Sequence, residues 1–144
     1  MKRIIILVTI FAFCLCGCSK KIYTWEFSQN ISNVKEIKII DIKDFKDEYE
    51  FSVIKEIDID LLDELYSDIT TLKMKKYVPF SLSAPGGLCF LIMFENGEYD
   101  IVAERESKSY RYDEEEGRIK AAYNSWLYCD EAEFEALINK YLEM

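Results

Sequence analysis

Residues 88–94 read LCFLIMF, seven apolar residues in succession. Such a run is too short for most helices, and a turn signal closes it. It therefore predicts a central strand buried on both faces. Asn96-Gly97 follows, the dipeptide that accepts positive φ at both central positions of a type I′ turn. Residues 99–103 (YDIVA) then resume as a strand. This hairpin makes a sheet the centre of the fold.

Other stretches supply neighbours for it. Residues 22–27 (IYTWEF) alternate as a strand with one aromatic face, Tyr23, Trp25 and Phe27. Residues 34–42 (VKEIKIIDI) and 49–57 (YEFSVIKEI) flank the charged turn DFKDE and predict an antiparallel pair. LKMKKYV reads as a further strand. Residues 108–112 and 118–128 predict a second hairpin around DEEEG, residues 113–117.

Two segments change period. Leu61, Leu62, Leu65, Tyr66, Ile69 and Leu72 recur on one helical face, with Asp60, Asp63, Glu64 and Asp68 on the other. Asp58 or Asp60 is placed to cap the start. Near the C-terminus Phe134, Leu137, Ile138, Tyr141 and Leu142 form a second stripe, and Asp130 with Glu133 resembles a capping box. Amphipathic helices must bury their stripes, and antiparallel strands offer a face. The expected class is α+β, an antiparallel sheet with two amphipathic helices packed on one face.

The N-terminus has a different logic. Lys2-Arg3 precedes thirteen residues, Ile4 to Cys16, in which only Thr9 carries a hydroxyl, and Gly17 is small. That is the order of a bacterial secretory signal. As a helix the run would reach about 20 Å, short of the roughly 30 Å hydrocarbon core of a bilayer.

Leu15-Cys16-Gly17-Cys18 resembles the lipobox of bacterial lipoproteins. Leu15 matches its aliphatic position, Gly17 its small one and Cys18 the cysteine that carries lipid. Cys16 falls at the variable position, where Ala, Ser or Thr is more usual. The resemblance implies cleavage between Gly17 and Cys18 and a diacylglycerol thioether on Cys18. Residues 1–17 are then a cleaved signal peptide, 18–21 a lipidated N-terminus and short tether, and 22–144 a single α+β domain. The address is extracytoplasmic, on the cell membrane, or on the outer membrane if the host has one. Lys20 and Lys21 are placed to meet lipid headgroups.

Charge narrows the partners. The net charge of −9 becomes −11 once Lys2 and Arg3 leave with the signal. No basic stripe is left to receive phosphates, so nucleic acid is not an expected partner. The chain has no histidine, which removes Ser-His-Asp and Cys-His nucleophilic systems and the usual zinc and copper sites. No cofactor and no metal are implied. DEEEG lacks the alternate-position spacing of a calcium loop and reads as a solvated tip. SAPGG, residues 83–87, lacks the Lys-Ser/Thr of a phosphate-binding loop and reads as a turn.

Cys89 and Cys129 remain after processing, with two alternatives: one disulfide or two buried free thiols. Tyr110, Tyr112, Tyr123 and Trp126 on the second hairpin are the candidate binding surface, against the alternative of core and cross-strand pairs.

Three functions follow. The first is a non-catalytic module beside the membrane that binds an envelope ligand or protein; in the second, an inhibitor or immunity variant, the acidic domain neutralises a basic partner. The third is a small envelope hydrolase, which requires two carboxylates converging in a cleft, at least one with a raised pKa.

Overall fold

The computed structural model describes residues 21–44, 50–76, 87–105, 107–121 and 127–144. The fold is mixed α+β. Strands β1 (Val34–Asp44), β2 (Glu50–Ile57), β4 (Gly87–Phe94), β5 (Tyr99–Val102), β6 (Lys108–Asp113) and β7 (Arg118–Ala121) form one sheet in the order β2-β1-β4-β5-β6-β7. Every pairing in it is antiparallel. β3 (Lys75–Lys76) and β8 (Leu127–Tyr128) make a separate two-stranded ribbon. The helices are α1 (Leu62–Thr71) and α2 (Glu131–Glu143).

β4 lies between β1 and β5, and its alternation explains the unbroken apolar run. Phe90, Ile92 and Phe94 join one core cluster, while Cys89 and Leu91 join another. The first cluster also holds Ile37 and Ile39 of β1, Leu65 and Ile69 of α1, and Phe134, Leu137, Ile138 and Tyr141 of α2. The second gathers Ile40, Ile42, Ile101, Ala103 and Tyr110.

Local signals account for the helix boundaries. Asp58 accepts a bond from Asp60 N–H and starts a 3-10 turn, Ile59–Leu61, that leads into α1. Asp130 accepts from Ala132 N–H and Glu133 N–H at the start of α2. Lys140 of α2 bridges to Glu64 at 2.7 Å and Asp68 at 2.6 Å, and the Tyr141 hydroxyl donates to Asp68 at 2.8 Å, so the two helices are tied at their polar edges.

Three sequence expectations are corrected. The strand expected over residues 22–27 is a single bridge, Tyr23 opposite Met74, because Trp25 turns into the core and Phe27 stacks on Tyr66 of α1. At the β4–β5 turn, Gly97 N–H bonds to the Phe94 carbonyl, so Glu95 and Asn96 are central instead of Asn96 and Gly97. Gly97 alone then supplies positive φ, 85°, in a three-residue connection. The second arm of the second hairpin is split: β7 pairs with β6, whereas β8 pairs with β3. Of the two alternatives left open for Cys89 and Cys129, the structure has the second, two free buried thiols in different core clusters. Burial pushes both thiols up to about 12, with the Asp41 carboxylate adding to the effect at Cys89 and Glu104 at Cys129.

Candidate functional site

The site is built by the segment before β1. Tyr23 is anchored by reciprocal backbone bonds to Met74 of 2.8 and 3.0 Å. Trp25, 2% exposed, then enters the core. Further on, Ser28 N–H donates to Asp100 Oδ2 at 2.9 Å and Gln29 Nε2 donates to Glu98 Oε2 at 2.6 Å. Asn30 caps the 3-10 turn Ile31–Asn33, its Oδ1 accepting from Ser32 N–H and Ser32 Oγ. The segment therefore runs between α1 and β5, pinned at each end.

A groove of about 640 Å³ lies along it, lined by Thr24, Glu26, Phe27, Gln29, Asn30 and Tyr66 among others. Phe27 and Tyr66 stack with ring centroids 5.0 Å apart and planes inclined by 27°. Tyr66 stays 39% exposed although it lies on the apolar stripe of α1. Trp25 also lines the groove, and its indole N–H has no acceptor in the structure.

Glu98 and Asp100 sit two residues apart on β5 and meet part of the hydrolase requirement. Asp100 carries a pKa raised by burial, although the Ser28 N–H bond works the other way. At Glu98 burial also pushes upward, but the Tyr112 N–H and Gln29 amide outweigh it and hold the carboxyl below its usual value. The missing part is a cleft. Asp100 is 0% exposed, and both Glu98 oxygens are engaged, Oε1 by Tyr112 N–H at 3.0 Å and Oε2 by Gln29. The pair works as a latch that holds the groove segment to the sheet.

An acid whose folded pKa is raised favours the fold below its ordinary value and weakens it as pH rises through the raised one. Asp100→Asn keeps an acceptor for Ser28 N–H and removes that charge. The variant is expected to show a higher urea midpoint than the parent at pH 8 and the same midpoint near pH 3. A lower midpoint at pH 8 would mean that the buried charge holds the segment in place.

The sequence-named aromatics are placed as follows. Tyr110 is 4% exposed and stacks on Tyr99 at 4.5 Å, so it belongs to the core and does not offer an open ring. Tyr112 is 57% exposed. Tyr123, Trp126 and Gly17 and Cys18, where cleavage and lipidation are expected, lie outside the described residues, as does SAPGG apart from Gly87. Near Tyr110, Ile40, Phe51, Leu91, Met93, Tyr99 and Ile101 line an apolar hollow of about 170 Å³. At the DEEEG tip, Asp113 pairs with Lys120, and Glu116 pairs with Arg118 at 2.8 Å and Lys120 at 3.1 Å.

Among the described residues no group of three or more Cys, Asp or Glu is arranged to hold a metal ion. Nor is any described helix long and apolar enough to cross a membrane.

Sequence reasoning missed the groove. The SQNISN stretch, residues 28–33, carries a turn and cap signal, but nothing in it announces that Phe27 meets Tyr66. No protein-family model, curated protein or solved structure matches the chain.

Proposed function

We propose that this chain is a bacterial lipoprotein, anchored outside the cytoplasm through acyl chains on Cys18, whose domain is a non-catalytic binding module. In this reading residues 1–17 leave as a signal peptide, 18–21 form the tether and 22–144 form one domain with both helices over one face of the sheet. The observation that carries it is the order Lys2-Arg3, thirteen apolar residues and Leu15-Cys16-Gly17-Cys18. Support for binding over hydrolysis comes from the converging acids, since Glu98 is buried with both oxygens engaged and Asp100 is fully enclosed, while the groove beside them is open.

Mass analysis of the chain extracted from membranes tests the reading. The N-terminal peptide is expected to begin at Cys18 and to carry a diacylglyceryl group. A peptide that begins at Met1, or an unmodified Cys18, contradicts it.

A further inference from the structure

The groove beside α1 has a volume within the roughly 300–1,000 Å³ typical of small-molecule sites. We propose that it binds a neutral oligosaccharide, an assignment that rests on the reading of the domain as a binding module. Three features select that chemistry.

The first is the ring platform. Phe27 and Tyr66 are stacked at 5.0 Å, and the exposed part of Tyr66 presents an apolar ring with a hydroxyl at its edge. The C–H face of a sugar ring packs on such a surface while its hydroxyls remain available at the rim.

The second is a set of polar groups whose orientation is already fixed. Gln29 is held by its Nε2 bond to Glu98, which leaves its Oε1 as an acceptor. Asn30 is held through its Oδ1 by Ser32, which leaves its Nδ2 hydrogens as donors. A fixed acceptor and a fixed donor beside stacked rings suit vicinal hydroxyls or an acetamido group, each of which offers both roles. Holding these side chains in advance also lowers the entropy lost on binding.

The third is charge. Among the described residues the groove lining contains Glu26 and no lysine or arginine, on a chain of net charge −9. An anionic sugar would meet repulsion with no cation to offset it.

The test is calorimetric titration of the purified full-length protein, in a detergent without a sugar headgroup. The probes are β-1,4-linked N-acetylglucosamine tetramer, maltotetraose and tetragalacturonate. At least one neutral tetrasaccharide is expected to bind and the anionic one is not. Tyr66→Ala, at a half-exposed position, is expected to weaken binding about tenfold or more, a loss of about 1.4 kcal/mol. Tyr66→Phe, which keeps the ring, should stay within a few fold of the parent. Absence of binding by both neutral probes, equal binding of tetragalacturonate, or an unchanged affinity in Tyr66→Ala would each overturn the proposal. Cys18→Ala protein should bind the same sugar equally, so failure of the lipid reading and failure of the sugar reading give different results.

Discussion

Replacing Phe90 by alanine is expected to lower the stability of the domain by about 4 kcal/mol, within the range of about 3–5 kcal/mol for a fully buried phenylalanine. Phe90 is completely buried in β4. Its ring meets Phe134 edge-on at 6.0 Å and Tyr141 at 5.8 Å, with interplanar angles of 79° and 89°. It is thus one of the sheet side chains that grip α2, beside Ile37, Ile39, Ile92 and Phe94 of the same cluster. Truncation opens a cavity between rigid elements and removes two ring contacts, each worth about 0.5–1.5 kcal/mol beyond area burial. Against a total stability of about 5–15 kcal/mol, the loss places the variant near its unfolding threshold. Phe51→Ala on the edge strand β2 is the control. That ring is 46% exposed, and its loss should cost less than about 1.5 kcal/mol. Urea unfolding of the two variants measures the difference, and similar midpoints would contradict the packing described for β4.

The two ring sites also show what one sequence discloses. The apolar run containing Phe90 announces a strand covered on both sides, because no polar residue interrupts either alternate face. The caps at Asp58 and Asp130 and the stripes of both helices are equally plain, since each is written within a few residues of chain. What escapes is any feature made by distant residues. The alternation in residues 22–27 looks like a strand, yet Trp25 and Phe27 are used to pack on the core and on α1, 41 and 39 residues from Tyr66 in the chain. The groove depends on Ser28 meeting Asp100 and Gln29 meeting Glu98, across 72 and 69 residues. Neither contact leaves a periodic trace. Tyr110 shows the same limit in another form: alternation places it on a face, but only the neighbouring Tyr99 and Ile101 make that face covered.

The buried acids show how chemistry can mislead when burial is unknown. Twenty-seven acids contain no pair that sequence alone singles out. The structure does bring two together on β5, with pKa values displaced in opposite directions. That displacement is a familiar mark of acid and base roles. Here the rise at Asp100 comes from enclosure, against the Ser28 bond, and the fall at Glu98 comes from the Tyr112 N–H and the Gln29 amide, which makes the pair a structural fastening for the groove.

The second large effect concerns location. If Cys18 carries the lipid as proposed, Cys18→Ala abolishes acylation altogether, because the thioether then has no other atom on which to form. Each buried CH₂ of an acyl chain contributes about 0.8 kcal/mol, and stable anchoring takes two chains, so loss of the single attachment point removes the acyl anchor and leaves the chain as unprocessed precursor. The effect is all or none, unlike that of the core variant. Cys16→Ala supplies the comparison, since Cys16 occupies the variable position and Ala is usual there.

The measurement that tests the account most directly is labelling of growing cells with an alkyne analogue of palmitate, followed by capture of the parent, Cys18→Ala and Cys16→Ala chains. Label is expected on the parent and on Cys16→Ala, with an unlabelled Cys18→Ala chain at precursor mass. Label on Cys18→Ala, or its loss in Cys16→Ala, would contradict it.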